Sequence, residues 1–164
     1  MYTKYTTVVN QHNLCNFLSD FVINERSEKM RIMGIDYGER RTGIAVSDPL
    51  GFTAQAVGTV NHKTPDEALT LVLEKIEEIK PEKIVLGLPK NMDGSIGFRG
   101  EATQKFADAL KEKINLPIIF WDERLSTVSA IRTLNETNVR GKDRKKVIDT
   151  VAATYILQNY LDSI

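Results

Sequence analysis

The chain has 164 residues, and its 22 basic and 22 acidic side chains leave no net charge when histidine is counted as neutral. Its 41% hydrophobic and 27% charged residues are close to globular averages, which excludes a disordered chain, a collagen and a coiled coil. One cysteine, Cys15, excludes an internal disulfide framework, and with only two histidines a structural zinc site is not expected.

Neither a membrane-spanning nor a secretory segment is predicted. No apolar run approaches the roughly 20 residues that a spanning helix requires, so we expect no membrane association and a cytoplasmic location. Within residues 1–29, hydrophobic side chains such as Leu14, Phe17 and Phe21 recur at helical spacing, but polar residues interrupt them. We interpret residues 1–29 as a flexible extension or a start-site artefact, or alternatively a docking helix, and residues 30–164 as one domain.

From residue 30 onward, the patterns predict three closely spaced strands followed by alternating helices and strands. Strands are predicted over Met30–Asp36, Gly43–Asp48, Phe52–Val60, Lys83–Leu88 and Pro117–Trp121. Helices are predicted from the cap at Thr64 to the stop at Pro81, and over Arg99–Ile114, Ser126–Glu136 and about Arg144–Leu161. Closely spaced strands favour an antiparallel meander, and strands separated by helices favour parallel pairing. The predicted fold class is α/β: a mixed five-stranded sheet, with a three-strand antiparallel meander plus two parallel strands, flanked by helices.

Acidic residues end two of these strands and also lie in the last helix. Asp36 ends the first strand, Asp122 and Glu123 follow the fifth, and Asp149 lies in the helix. A carboxylate at the end of a buried strand is costly unless it is exposed, paired or bound to a cation. If the three segments converge, their oxygens suit Mg²⁺ or Mn²⁺, and such ions support phosphodiester cleavage. Each acid also has an ordinary structural interpretation, as a turn residue, a helix cap or an ion-pair partner.

Four segments in this order resemble the YqgF/RuvX family. They are MRIMGIDYGERRTGIAVSD (Met30–Asp48), IVLGLPKNMDG (Ile84–Gly94), DERLST (Asp122–Thr127) and KKVIDTVAA (Lys145–Ala153). The resemblance implies an RNase H-like fold related to Holliday junction resolvases, and a nuclease of pre-16S rRNA or of such junctions. It also implies that Asp36, Glu123 and Asp149 are the catalytic residues and the metal ligands.

Two details of the acidic set need separate treatment. Adjacent strand residues point to opposite faces, so Asp122 and Glu123 should not both reach one site, and we choose Glu123 for its longer side chain, with Asp122 as the runner-up. In the related resolvases an acid follows the fourth strand, whereas this chain has Gly87-Leu88-Pro89 there, as the resembling family does. That difference leaves the number of metal ions open.

Basic and polar side chains near the predicted strand ends are candidate contacts to nucleic acid. Arginine suits bidentate phosphate binding, and the segment Arg140–Lys146 carries five basic residues and one acid. The candidates are Arg40, Arg41, Lys90, Asn91, Arg99, Arg124, Lys142 and Arg144. Each alone is also compatible with an ordinary surface role, such as an ion pair or a loop turn.

The expected function is a metal-dependent nuclease that cleaves structured nucleic acid and processes the 5′ end of pre-16S rRNA in ribosome biogenesis. Its partner is then pre-rRNA or branched DNA, and the protein is a monomer or a homodimer. The alternatives are a Holliday junction resolvase in DNA repair and a non-catalytic nucleic-acid-binding module, which would tolerate the loss of Asp36. A nucleotide-dependent phosphotransferase is disfavoured, because the chain has no Walker-type loop and is too short for two lobes.

Overall fold

The structure is a computed structural model that describes residues 31–122 and 143–164, with residues 143–149 described only as backbone. The described strands are β1 (Ile32–Tyr37), β2 (Arg41–Ser47), β3 (Ala54–Asn61), β4 (Lys83–Leu88) and β5 (Ile118–Asp122). The described helices are α1 (Pro65–Ile79), α2 (Phe98–Lys111) and α3 (Asp143–Leu161). The extension predicted over residues 1–29 and the helix predicted over Ser126–Glu136 lie outside the described residues.

The strands form one mixed sheet in the order β3-β2-β1-β4-β5. Strand β2 pairs antiparallel with both β1 and β3, while β4 pairs parallel with both β1 and β5. The prediction of an antiparallel meander extended by two parallel strands is therefore confirmed. Because β3 runs parallel to β1, the strands β1, β3, β4 and β5 all end at the same edge of the sheet. We call this edge the carboxyl edge.

The helices cover the two faces of the sheet unequally. Met33 and Ile35 are fully buried in the cluster that includes α1 and α2, whereas Ile32 belongs to the cluster formed with α3. This alternation follows from the two-residue period of a strand. Gly34 also faces α3, where an added Cβ would lie only 2.7 Å from the Cβ of Leu157. Helix α3 therefore packs directly against the backbone of β1.

Both α1 and α2 begin at the carboxyl edge. In α1, the hydroxyl of Thr64 accepts a hydrogen bond from the backbone N–H of Glu67 at 3.2 Å, and Pro65 occupies the first turn, as predicted. Helix α2 begins after Gly97 without a side-chain cap. Neither described stretch contains a helix that is long and apolar enough to cross a bilayer.

Candidate functional site

Asp36 is the acidic residue at the carboxyl edge on the face of the sheet that α3 covers. It pairs with Gly43 of β2 and is half-buried. It shares a strand face with Gly34, whose backbone contacts α3, so Asp36 lies on the same side of the sheet. A carboxylate in this position is partly shielded from solvent and remains accessible to a ligand.

Helix α3 runs back along β3, so that its first residues lie at the carboxyl edge. At the end of the sheet opposite to the carboxyl edge, the backbone N–H of Ala54 donates to Oε1 of Gln158 at 2.8 Å. Near the carboxyl edge, the hydroxyls of Thr59 and Thr150 are 2.7 Å apart. Thr59 pairs with Gly43, the residue that also pairs with Asp36 on the other side of β2. Position 149, which directly precedes Thr150, is therefore brought to the same end of the sheet as Asp36.

Asp122 lies on the opposite face from Asp36. Within β5, Ile119 and Trp121 pack against the α3 cluster, and the Trp121 ring contacts the Tyr160 ring edge-on with centroids 5.5 Å apart. Phe120 packs against the α1 and α2 cluster, and Asp122 follows it by two residues on that face. Oδ2 of Asp122 is 3.4 Å from Nζ of Lys90. Asp122 therefore belongs to an ion pair on the other side of the sheet.

The other two predicted carboxylates are only partly within the described structure. Glu123 lies outside the described residues, and Asp149 is described only as a backbone position of α3. Among the side chains that are described, no three His, Cys, Asp or Glu residues form a metal-binding group. The carboxylate of Asp36 is one hard oxygen donor of the type that divalent cations prefer, at a half-buried position of the carboxyl edge.

The candidate nucleic-acid contacts occupy different places. Arg41 begins β2, Lys90 pairs with Asp122, and Nδ2 of Asn91 donates to Oγ of Ser95 at 2.9 Å within its own loop. Arg40 and Arg99 line one pocket at the carboxyl edge. Arg124 and Lys142 lie outside the described residues, as does the side chain of Arg144. The fold thus brings together two of the candidates, Arg40 and Arg99.

The same pocket contains residues that the sequence did not single out. Lys63 and Phe98 line it together with the two arginines, and its volume is about 410 Å³. Both positions could have been related to features of the sequence. Lys63 directly precedes the cap of α1, and Phe98 is the first residue of α2. Tyr37 also lines the pocket, and burial raises the pKa of its phenol.

An aromatic stack supports this corner of the fold. The ring of Tyr37 is stacked on that of Phe106 with centroids 4.2 Å apart, and on that of His62 with centroids 6.0 Å apart. Nε2 of His62 lies 3.0 Å from the buried hydroxyl of Thr42. Burial lowers the pKa of His62, Glu67 raises it and Arg40 lowers it further. The net lowering favours the neutral form of the imidazole.

Comparison with solved structures defines the class of the fold. RuvC of T. thermophilus, in complex with a Holliday junction substrate, matches 77% of this chain and 91% of its own length with a TM-score of 0.50. The fowlpox virus resolvase in complex with Holliday junction DNA matches 82% of this chain and 98% of its own length with a TM-score of 0.54. Each is 14% identical to this chain, so the likeness shows a shared RNase H-like fold.

Sequence comparison then gives the family. The model of the RuvX family, described as Holliday junction resolvase, matches residues 30–163, and the chain belongs to this family. A protein of Clostridium acetobutylicum named "Putative pre-16S rRNA nuclease" is 51% identical over 135 residues, covering 82% of this chain and all of the relative. A protein of Halothermothrix orenii with the same name is 53% identical over 133 residues, covering 81% and 95%. The chain is thus a nuclease, a hydrolase of phosphodiester bonds, and divalent metal ions are general for nucleases of this fold.

Proposed function

We propose that the protein cleaves the precursor of 16S rRNA at its 5′ end, with Asp36, Glu123 and Asp149 as the catalytic carboxylates that hold Mg²⁺ or Mn²⁺. The names of the two relatives support pre-16S rRNA as the substrate. The observation that supports the site most strongly is the hydrogen bond between Thr59 and Thr150, in the row of the sheet that also includes Asp36. The proposal includes the cytoplasmic location that the sequence predicts.

The position of Asp122 supports the choice of Glu123 as the acid from the end of β5. Asp122 lies on the face opposite to Asp36 and pairs with Lys90. A residue that follows Asp122 in an extended chain would point toward the face that carries Asp36. Glu123 has, in addition, the longer side chain of the two acids.

The mechanism assigns different tasks to the acidic and the basic residues. When bound, a divalent cation would activate water for attack on phosphorus and stabilise the departing 3′ oxygen, which leaves a 5′-phosphate. The three carboxylates would hold it in place. The candidate basic and polar residues would position the phosphate backbone; they are Arg40, Arg41, Arg99, Lys90, Asn91, Arg124, Lys142 and Arg144. Contacts of this kind fix the position of a strand and contribute little sequence selectivity.

A cleavage assay with two substrates tests the proposal. The substrates are an RNA with the extended 5′ end of pre-16S rRNA and a four-way DNA junction, each with Mg²⁺, Mn²⁺ or EDTA. Asp36→Asn should lower the cleavage rate at least about 100-fold, which corresponds to about 2.7 kcal/mol of activation free energy. The matched control is Asp108→Asn, since Asp108 is an exposed acid on α2, where it pairs with Lys111. The control should cleave like the unaltered protein.

The substrate preference distinguishes the remaining functions. Metal-dependent cleavage of the RNA supports the proposal, while cleavage of the junction alone would identify a resolvase. Two symmetric cuts in the junction would indicate a homodimer. If the unaltered protein and Asp36→Asn both bind nucleic acid in a salt-sensitive way and neither cleaves it, the proposal is contradicted and a non-catalytic binding module is favoured.

A further inference from the structure

A second feature of the carboxyl edge lies on the face opposite to Asp36. It is the pocket of about 410 Å³ described above, between the β1–β2 turn and the first residues of α1 and α2. Tyr37 places it on the α2 side of the sheet, because its ring stacks on Phe106 of α2. We call it the basic pocket, and we define it by Arg40, Lys63, Phe98 and Arg99.

The charge of the basic pocket favours an anion. Arg40, Lys63 and Arg99 are exposed, and within the described residues none of them forms an ion pair. Among the described residues that line the pocket, Glu39 is the one acid, so these residues carry a net charge of two positive units (three basic side chains and one acidic). The protein as a whole is neutral, so the basic pocket is a local excess of arginine and lysine. Arginine in such a position suits a phosphate.

The exposed aromatic ring of the basic pocket, Phe98, indicates which class of anion the pocket would bind. Phe98 is 84% exposed, so its ring contributes little to the core. It lies in the first turn of α2, next to Arg99, and the start of this helix has no side-chain cap. An exposed aromatic ring beside basic side chains is the arrangement with which proteins bind single-stranded nucleic acid, by stacking on a base and holding its phosphates.

We propose that the basic pocket binds one nucleotide from a single-stranded segment of the substrate, with the base stacked on Phe98 and the phosphates held by Arg40, Lys63 and Arg99. A volume of about 410 Å³ is within the range of about 300–1,000 Å³ that is typical of small-molecule sites. Because Asp36 and Tyr37 are adjacent but lie on opposite faces, a strand held here would pass over the carboxyl edge toward Asp36. This inference rests on the proposed function only in that the substrate is a nucleic acid.

Binding of labelled oligonucleotides to the full chain tests this proposal. Fluorescence anisotropy in EDTA, which prevents cleavage, would compare single-stranded RNA, single-stranded DNA and a blunt duplex of the same sequence. Phe98→Ala should weaken binding of the single strands roughly 5- to 150-fold, since one stacked base contributes about that much, and should leave the duplex nearly unchanged. The matched control is Phe52→Ala. Phe52 is 71% exposed and lies just before β3, at the end of the sheet opposite to the carboxyl edge. RNA and DNA arms show which strand the pocket prefers.

The charged residues give an independent readout. Arg99→Gln should reduce the slope of log affinity against log salt by about 0.7, the value for one lost phosphate contact on a single strand. Lys113→Gln, beyond the far end of α2, is the control and should leave the slope unchanged. Glu39→Gln should tighten binding, because it removes a negative charge from the lining. A merely structural role for these side chains predicts none of these changes.

The outcomes separate this proposal from that of the catalytic site. Thermal unfolding checks that Phe98→Ala is folded. Phe98→Trp keeps an aromatic ring at this position and should bind single strands as the unaltered protein does. Equal affinities for Phe98→Ala and Phe52→Ala would overturn the proposal, and so would an equal loss on single strand and duplex. Asp36→Asn should keep single-strand binding. If Asp36→Asn still cleaves while Phe98→Ala loses binding, the catalytic proposal fails and the basic pocket stands.

Discussion

The hydroxyl oxygens of Thr59 and Thr150 lie 2.7 Å apart and join β3 to α3 at the end of the sheet that carries Asp36. A second contact further along the helix, between Gln158 and Ala54, fixes its direction along β3. Helix α3 is therefore held at two points, and Gly34 lies between them and sets the distance of the helix from the sheet. The location of position 149 follows from this packing of the helix.

The contact at Gly34 predicts that this position tolerates no side chain. In Gly34→Ala the new Cβ would lie 2.7 Å from the Cβ of Leu157 and 3.1 Å from the backbone oxygen of Ala153. Since backbone must move to relieve this overlap, we expect a loss of about 1–3 kcal/mol in the free energy of unfolding. Cleavage activity should fall as well, because α3 is displaced from Asp36. Urea unfolding and the cleavage assay measure the two effects.

The control for this substitution is Gly97→Ala. A Cβ at Gly97 would meet only the side chain of Asn91, whose Oδ1 is 3.0 Å away in an exposed loop. This amide can move at small cost, so stability should change much less than in Gly34→Ala. Equal stability of Gly34→Ala and the unaltered protein would show that α3 does not rest on β1 as described.

The two adjacent acids after β5 should differ sharply in their effect on cleavage. Glu123→Gln should lower the cleavage rate about 100-fold or more, whereas Asp122→Asn should remain within a few-fold of the unaltered protein. Asp122→Asn breaks the pair with Lys90, in which each side chain is about one-third exposed, so stability should fall by at most about 1 kcal/mol. Single-turnover cleavage of both variants measures the difference. A larger loss in Asp122→Asn would reverse the assignment.

Local patterns were sufficient to predict most of the fold. The strand Lys83–Leu88 has the predicted bounds, because it is a buried apolar run between Pro81 and Pro89. Strand β1 continues one residue beyond the prediction to Tyr37, because Tyr37 pairs with Thr42, and that register depends on the neighbouring strand. Helix α2 ends at Lys111 instead of Ile114. The backbone N–H groups of Lys113 and Ile114 both donate to the carbonyl oxygen of Leu110, which forms a turn there. Such ends are decided by tertiary contacts that local patterns do not contain.

Within the candidate site, the sequence singled out residues that lie in a recognisable local pattern. Asp36 was a candidate because it ends an apolar strand, and its catalytic role stays a prediction. The basic pocket could not be found, because Lys63 and Phe98 are distant in sequence and meet only when α1 and α2 begin at the same edge. Asn91 and Lys90 have contacts within the protein that no sequence pattern predicts, namely to Ser95 and Asp122.

Because His62 is buried, we expect the free energy of unfolding to fall at acidic pH. Its pKa is lowered from the ordinary 6.5, chiefly by burial, while in the unfolded chain it is ordinary. The unfolded state therefore binds a proton first, so the stability that His62 contributes is complete above pH 6.5 and is lost as the pH falls from there through the folded pKa. Urea unfolding between about pH 7.5 and about pH 5.5 measures this loss. His62→Gln should flatten the dependence.

The end of α1 offers a substitution that should stabilise the protein. Lys80 caps the helix with φ of 52°, a left-handed conformation that is strained for any residue with a Cβ. Glycine removes about 1–2 kcal/mol of strain but gains freedom in the unfolded chain, which offsets about 0.4–1 kcal/mol. Lys80→Gly should thus raise the free energy of unfolding by about 0.5–1 kcal/mol. Lys105→Gly, the same change inside α2, should lower it by about 1 kcal/mol. Thermal and urea unfolding compare the two, and a loss of stability in Lys80→Gly would show that its side chain supports the cap.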